Sequence, residues 1–232
     1  MTILSSIPFQ INQELLFQTV RIDKSTSEAQ ELIRLVQEAK SILKPKAIYT
    51  VSYVGARQDT SVIIDNVSFE SQVLRINLSN VERVFPFVAT CGREADTIEI
   101  AADDFVKQFW LETIKAMALE SAMKYLRRQL KQKFAIRKIA AMSPGSGPSD
   151  AWPIEQQRQL FSLLGNVEEA IGVRLTDSYL MIPNKSISGL FYPTEIAFET
   201  CQICKRENCR GRRAAYSHEL AQKYQQGEAD RN

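Results

Sequence analysis

Between Pro144 and Pro148 the chain runs Pro-Gly-Ser-Gly-Pro, a density of breakers that excludes both a helix interior and a central strand. The segment must be a surface loop shaped by its backbone. Pro153 then suits the first position of a helix, and Ile154, Gln157, Leu160, Phe161 and Leu164 follow at helical spacing until Gly165 stops the run. A glycine-rich loop opening a helix can turn backbone N–H groups toward a polar ligand, and it can equally be an ordinary turn.

With 232 residues, 44% of them hydrophobic, the chain can bury a real core. The 29 basic and 27 acidic residues leave a net charge of +2, which removes any global argument for nucleic acid or an anionic membrane as partner. The first twenty residues lack a signal-peptide pattern, and no apolar run is long enough to span a bilayer, so the expected compartment is the cytoplasm.

Read in order, Ser27–Leu43 predicts an amphipathic helix carrying Ala29, Leu32, Ile33, Val36 and Ala39 on one face. Strands are expected at Ala47–Val54, at Ser61–Asp65, through the alternating Leu74, Ile76 and Leu78, and along the apolar run that ends at Cys91. No strand–helix–strand alternation appears, so the expected class is α+β. A long helix, about Asp103 to Lys133, follows; Phe105, Val106, Phe109, Trp110, Ile114 and Met117 form its expected apolar face. Glu120 interrupts that side, either as a solvated carboxylate or as the acid best placed to face a groove beside the glycine loop. Beyond a short helical turn at 166–172, the segments VRLTDSYLMIP and SISGLFYP read as a hairpin joined at Pro183 and Asn184.

Residues 1–195 thus read as the main domain, and 196–232 as a basic, cysteine-rich tail with a frayed end at 228–232. Of the four cysteines, Cys91 stands alone while Cys201, Cys204 and Cys209 crowd together, with His218 nearby. These four tail residues could complete a structural zinc site; three thiolates could instead hold an iron–sulfur cluster with Cys91 as an outside ligand, or remain free redox thiols. Lys205, Arg206, Arg210, Arg212 and Arg213 surround the thiols, as a solvated charge run or as a surface for an acidic partner.

Two motifs in one register carry a family resemblance. Ser143, Pro144, Gly145, Gly147, Asp150, Trp152, Pro153 and Glu155 form the first. Ile171, Gly172, Leu175, Thr176, Ser178, Met181, Pro183, Ser186, Ser188 and Gly189 form the second. Together they resemble the reactivation (activation) domain of cobalamin-dependent methionine synthase, and especially its short stand-alone relatives. The resemblance implies a curved α+β domain around an antiparallel sheet, S-adenosylmethionine as ligand and a cobalamin-carrying methyltransferase as partner. It implies an electron donor of the flavodoxin or ferredoxin kind. The implied role is reductive reactivation of a corrinoid-dependent methyltransferase; a non-catalytic metal-binding adapter or an electron-transfer module docking on a corrinoid protein is the alternative.

Carried onto this chain, the ligand-binding residues would be Glu120, Ser143, Gly145, Gly147, Phe191 and Tyr192, with the two aromatic rings stacking on adenine or sulfonium. The loop from Ser143 and the segment ending at Tyr192 would converge on one shallow adenosyl cleft. Two family positions differ: the loop arginine falls on Ala141 and the loop tyrosine on Ser146, leaving Arg137 or Lys138 as replacement cations. The family domain needs no cysteine cluster, so the tail marks a variant.

Overall fold

The computed structural model describes residues 1–196, 198–209 and 211–227; Arg210 and the expected frayed end at 228–232 lie outside the described residues. The elements, in order, are β1 (Thr2–Leu4), α1 (Gln13–Val20), α2 (Ser27–Ile42), β2 (Lys46–Tyr49), β3 (Ser52–Arg57), β4 (Ser61–Ile64), β5 (Val67–Glu70), α3 (Gln72–Asn77) and β6 (Arg83–Thr90). Then come α4 (Phe105–Lys133), β7 (Ile139–Met142), α5 (Gln157–Leu164), α6 (Val167–Ile171), β8 (Arg174–Leu175), β9 (Met181–Ile182), β10 (Ser186–Pro193) and α7 (His218–Gln226).

An eight-stranded sheet is organised around β6, which is buried from Val84 to Thr90. Along one edge of β6 run β2 and then β3; along the other runs β10, which pairs with β7 in turn. Every recorded pairing is antiparallel, which bears out the α+β expectation. Period-two alternation divides the strands between two faces. Ala47, Tyr49, Phe85, Phe87, Ala89 and Phe191 meet Ala122, Leu126 and Leu130 of α4. On the reverse, Ile48 and Val88 meet α5–α6, while Val84, Leu190 and Tyr192 pack with Val62, Phe69, Leu74 and Trp152.

Asp104 caps α4, its carboxylate accepting the Lys107 N–H at 2.9 Å. Trp110, Ile114, Ala118, Ala122, Leu126 and Leu130 form the buried stripe of that helix. Its first half packs with α1 and α2, its second half on the sheet. The expected apolar face was too broad at the start. Phe105 is 74% and Phe109 49% exposed, while Trp110 is buried against α1 and α2.

Three other expectations are corrected. Leu74, Ile76 and Leu78 lie on and just after α3, not on a strand: Ser71 caps the helix by accepting the Leu74 N–H at 2.9 Å. Val73, Leu74 and Ile76 are buried there on one side of a single turn and a half. The run Ala47–Val54 divides into β2 and β3, which occupy successive stretches of the same β6 edge. The hairpin at Pro183 does not form. VRLTDSYLMIP folds on itself as β8 and β9, and SISGLFYP enters the main sheet between β6 and β7. Among the described residues, no helix is long and apolar enough to cross a membrane.

Candidate functional site

Strand β7 delivers the chain at Met142 into the glycine loop. Gly145 and Gly147 hold φ of 74° and 94°, the left-handed region that side chains with a Cβ rarely adopt. Their conformation lets the loop close on itself: Gly145 N–H donates to Trp152 O at 2.8 Å, Ser146 N–H to Ser143 O at 3.1 Å, and Ala151 N–H to Pro148 O at 3.0 Å. The loop ends in an anchor. Trp152 is fully buried, edge-to-face with Phe69 at 5.9 Å between ring centroids.

Polar bonds fix the loop to the β5–α3 corner. Ser71 Oγ donates to Ala151 O, and the Gln156 side chain both accepts the Glu70 N–H at 2.9 Å and donates to Glu70 O at 2.6 Å. Gln157 is also buried, donating to Tyr179 O at 2.7 Å and accepting from Ser188 Oγ at 2.9 Å. Burial of these two amides on an apolar helix face is affordable only because every such bond is made.

The tail covers the loop's other side. Ser146 and Thr200 share a hydroxyl–hydroxyl bond at 3.0 Å, and a Cβ added to Gly147 would lie 3.1 Å from Thr200 Cβ. Between the loop, α3 and α7 opens a cavity of about 750 Å³, within the size range of small-molecule sites. Gly147–Ala151 forms one wall, and Cys204, Lys205 and Arg206 another; Glu70 and Tyr224 complete it. The cavity therefore offers cations, carboxylates and an aromatic face together. Thr200, Ser71, Gln156 and Glu70 escaped the sequence reading; the adjacent glutamines on an apolar helix face were the one available signal.

The expected binding residues separate. Ser143 does meet β10: Leu190 pairs with Met142, and a Cβ on Gly189 would strike Met142 O and Ser143 Oγ. The junction is filled by Met142, Leu190, Tyr192 and Trp152, so the shallow cleft expected between these segments is replaced by core. Phe191 and Tyr192 are 0% and 1% exposed and point to opposite faces of the sheet, as neighbours on a strand must. Phe191 stacks on Phe87 at 4.5 Å, with the Arg127 guanidinium 5.4 Å from its ring. Tyr192 presents a hydroxyl without a hydrogen-bond partner among the described residues, and burial raises its phenol well above the ordinary value. Two such rings cannot flank one ligand. Glu120 is exposed on α4 and pairs with Lys124 at 2.7 Å on the same helix. Arg137 and Lys138, the candidate replacement cations, are tied to Glu195, at 3.0 Å to its carboxylate and 3.1 Å to its carbonyl. Of the expected set, Gly147 borders the cavity directly.

In the tail, Thr200–Ile203 is a 3-10 turn and Cys204 follows it. Arg212 organises the segment, its guanidinium donating to the carbonyls of Cys201 (3.1 Å), Cys204 (3.2 Å), Ala214 (3.2 Å) and Arg206. Arg213 pairs with Glu199 at 3.0 Å. His218 is exposed at the start of α7, with Tyr216 at 6.5 Å between rings. Cys201, Cys204 and Cys209 are partly exposed free thiols. Among the described residues, no three His, Cys, Asp or Glu side chains stand gathered for a metal. Cys91 lies in a different cluster, among α1, α2 and α4, which removes it as an outside ligand to the tail. Burial pushes its thiol up to about 11. The tail is no loose appendage: Ile203 and Ala221 enter the core beside Trp152, and Tyr224 Oη donates to Asn77 Oδ1 at 2.9 Å.

Residues 131–210 match the family described as vitamin B12 dependent methionine synthase, activation domain. The span contains both motifs that carried the resemblance. The fold is similar to that of the MetH reactivation domain, solved bound to AdoHcy. Identity is 17% and the TM-score 0.54, over 80% of this chain and 72% of that one. No curated protein matches the chain. The resemblance to the activation domain is thereby borne out, by sequence across the loop and the tail's first half and by fold across most of the chain.

Proposed function

We propose that this chain serves the reductive reactivation of a corrinoid-dependent methyltransferase of the methionine synthase kind, with S-adenosylmethionine as methyl donor. The observation that carries the reading is the glycine loop: it lies inside the matched family span and forms a wall of the 750 Å³ cavity. In such a reaction the partner's cobalamin would supply the methyl acceptor, a cobalt reduced by one electron from the donor protein, and the S–C bonding pair would stay on the sulfur of the methyl donor held by this chain.

The chain's own task is to hold the donor. Lys205 and Arg206 suit a carboxylate, Glu70 and Asp150 suit an ammonium or ribose hydroxyl, and the open backbone at Gly147 admits a close approach. Lys205 and Arg206 would stand in for the family's loop arginine from a different element, since Ala141 occupies that arginine's sequence position and lies outside the cavity. Cobalamin would be carried by the partner, and the electron donor would be a flavodoxin- or ferredoxin-like protein.

Calorimetry with S-adenosylmethionine and S-adenosylhomocysteine tests the reading. Saturable binding is expected, weakened about tenfold or more by Arg206→Glu. A flat titration would defeat it, as would reconstituted methyl transfer whose lag after cobalt oxidation is unchanged by the protein.

A further inference from the structure

We infer that Cys201 and Cys204 are a redox modification site, a dithiol couple that closes reversibly to a disulfide at the edge of the cavity. The turn beneath them sets the couple. Thr200–Ile203 is a 3-10 turn, in which side chains three positions apart stand over one another. Thr200 and Ile203 form one such couple, 2% and 7% exposed, and fasten the turn to the body of the protein: Thr200 through its bond to Ser146, Ile203 in the core beside Trp152. Cys201 and Cys204 form the next, and both are partly exposed free thiols. Cys204 N–H donates to Cys201 O at 3.3 Å. A turn closed in this way holds its end Cα atoms within about 7 Å, and disulfides span about 4.4–6.8 Å. One guanidinium holds both ends, Arg212 donating to the carbonyls of Cys201 at 3.1 Å and Cys204 at 3.2 Å.

Cys209 belongs to a different turn, its N–H on Glu207 O and its carbonyl on Arg212 N–H, both at 3.2 Å. Among the described residues no third His, Cys, Asp or Glu side chain joins the couple for a metal, which leaves it the chemistry of two thiols. Exchange with a small-molecule disulfide such as oxidised glutathione balances the step. One protein sulfur attacks the small disulfide and releases the first small thiol; the other protein sulfur then displaces the second from the mixed disulfide. One S–S bond forms in the protein and one breaks in the oxidant, two electrons pass from the couple to the oxidant, and the two cysteine protons end on the released thiols. Cys204 lines the cavity together with Lys205 and Arg206, which follow it in the chain. The cross-link therefore bears on the wall that carries the cavity's cations, stiffening it when oxidised and freeing it when reduced.

The test equilibrates the full chain anaerobically across rising ratios of oxidised to reduced glutathione, quenches it by alkylation and maps the cysteines by peptide mass. An intrachain bridge between Cys201 and Cys204 is expected, seen as the loss of two hydrogens and two alkylation sites and reversed by reduction. Cys201→Ser and Cys204→Ser should each replace the bridge by a glutathione adduct on the cysteine that remains, whereas Cys209→Ser and Cys91→Ser should leave it intact. Amide exchange at 204–206 should slow by about tenfold or more in the oxidised protein. Cysteines that all stay free across the whole range, or a bridge that uses Cys209, overturn the site; unchanged exchange at 204–206 overturns its hold on the cavity wall. Because no adenosyl ligand enters the experiment, its outcome is independent of the reactivation reading.

Discussion

The sheet and the tail are held by opposite means. Around β6 the chain is organised by side chains that face each other across dry interfaces: Phe87 on Phe191 beneath the α4 stripe on one face of the sheet, and Phe69 on Trp152 on the other. Around Cys201 it is organised by a guanidinium that collects carbonyls, with Ile203 and Ala221 as the apolar pegs. The first arrangement resists any loss of volume, since interiors are close-packed. The second resists loss of one polar group, and its thiols stay accessible. A chain can therefore carry a rigid scaffold and a locally adjustable segment within one hydrophobic cluster.

Substitutions should expose that contrast. Trp152→Ala empties the anchor of the glycine loop and should cost about 3–5 kcal/mol in a denaturant melt; a cost comparable to a surface change would mean the loop is not built on this residue. Alkaline titration should give the next largest effect. Buried Cys91, with its thiol raised to about 11, keeps its proton in the fold, whereas the unfolded chain ionises nearer pH 8.5. Stability should be full below that pH and fall by about 3 kcal/mol as pH climbs toward 11. Cys91→Ala should flatten the slope, and a slope that survives it must arise elsewhere.

Arg212→Ala should act locally, raising amide exchange and proteolysis across 204–216 while global stability moves by about 1 kcal/mol or less. A loss as large as that of Trp152→Ala would erase the distinction between the regions. Tyr192→Phe should be neutral or slightly stabilising, because it deletes an unpartnered buried hydroxyl and keeps the ring. Were Tyr192 in contact with an adenosyl ligand, the same change would be read in binding and not in melting.

Sequence showed the long helix, the glycine loop and the α+β class because each is written locally: Asp104 before an i,i+4 stripe, or breakers packed into a few positions. Leu74, Ile76 and Leu78 were misread because a short helix and a strand can both bury alternate residues, and only the Ser71 cap tells them apart. The Phe191–Tyr192 pair was legible as a motif but not as geometry. That two adjacent rings must part company follows once Ser186–Pro193 is known to be a central strand, and this depends on β6 and β7, distant in sequence. The cavity was hidden for the same reason, its walls coming from five separated stretches.

The late arrival of β10 between β6 and β7 bears on how the chain is made. Until residues 186–193 emerge during synthesis, β6 offers a bare row of amides and carbonyls flanked by Phe85 and Phe87, an edge that invites pairing with a stranger. A fragment stopped before Ser186 should gather into aggregates, and helper proteins that shelter nascent strands should matter most during that interval.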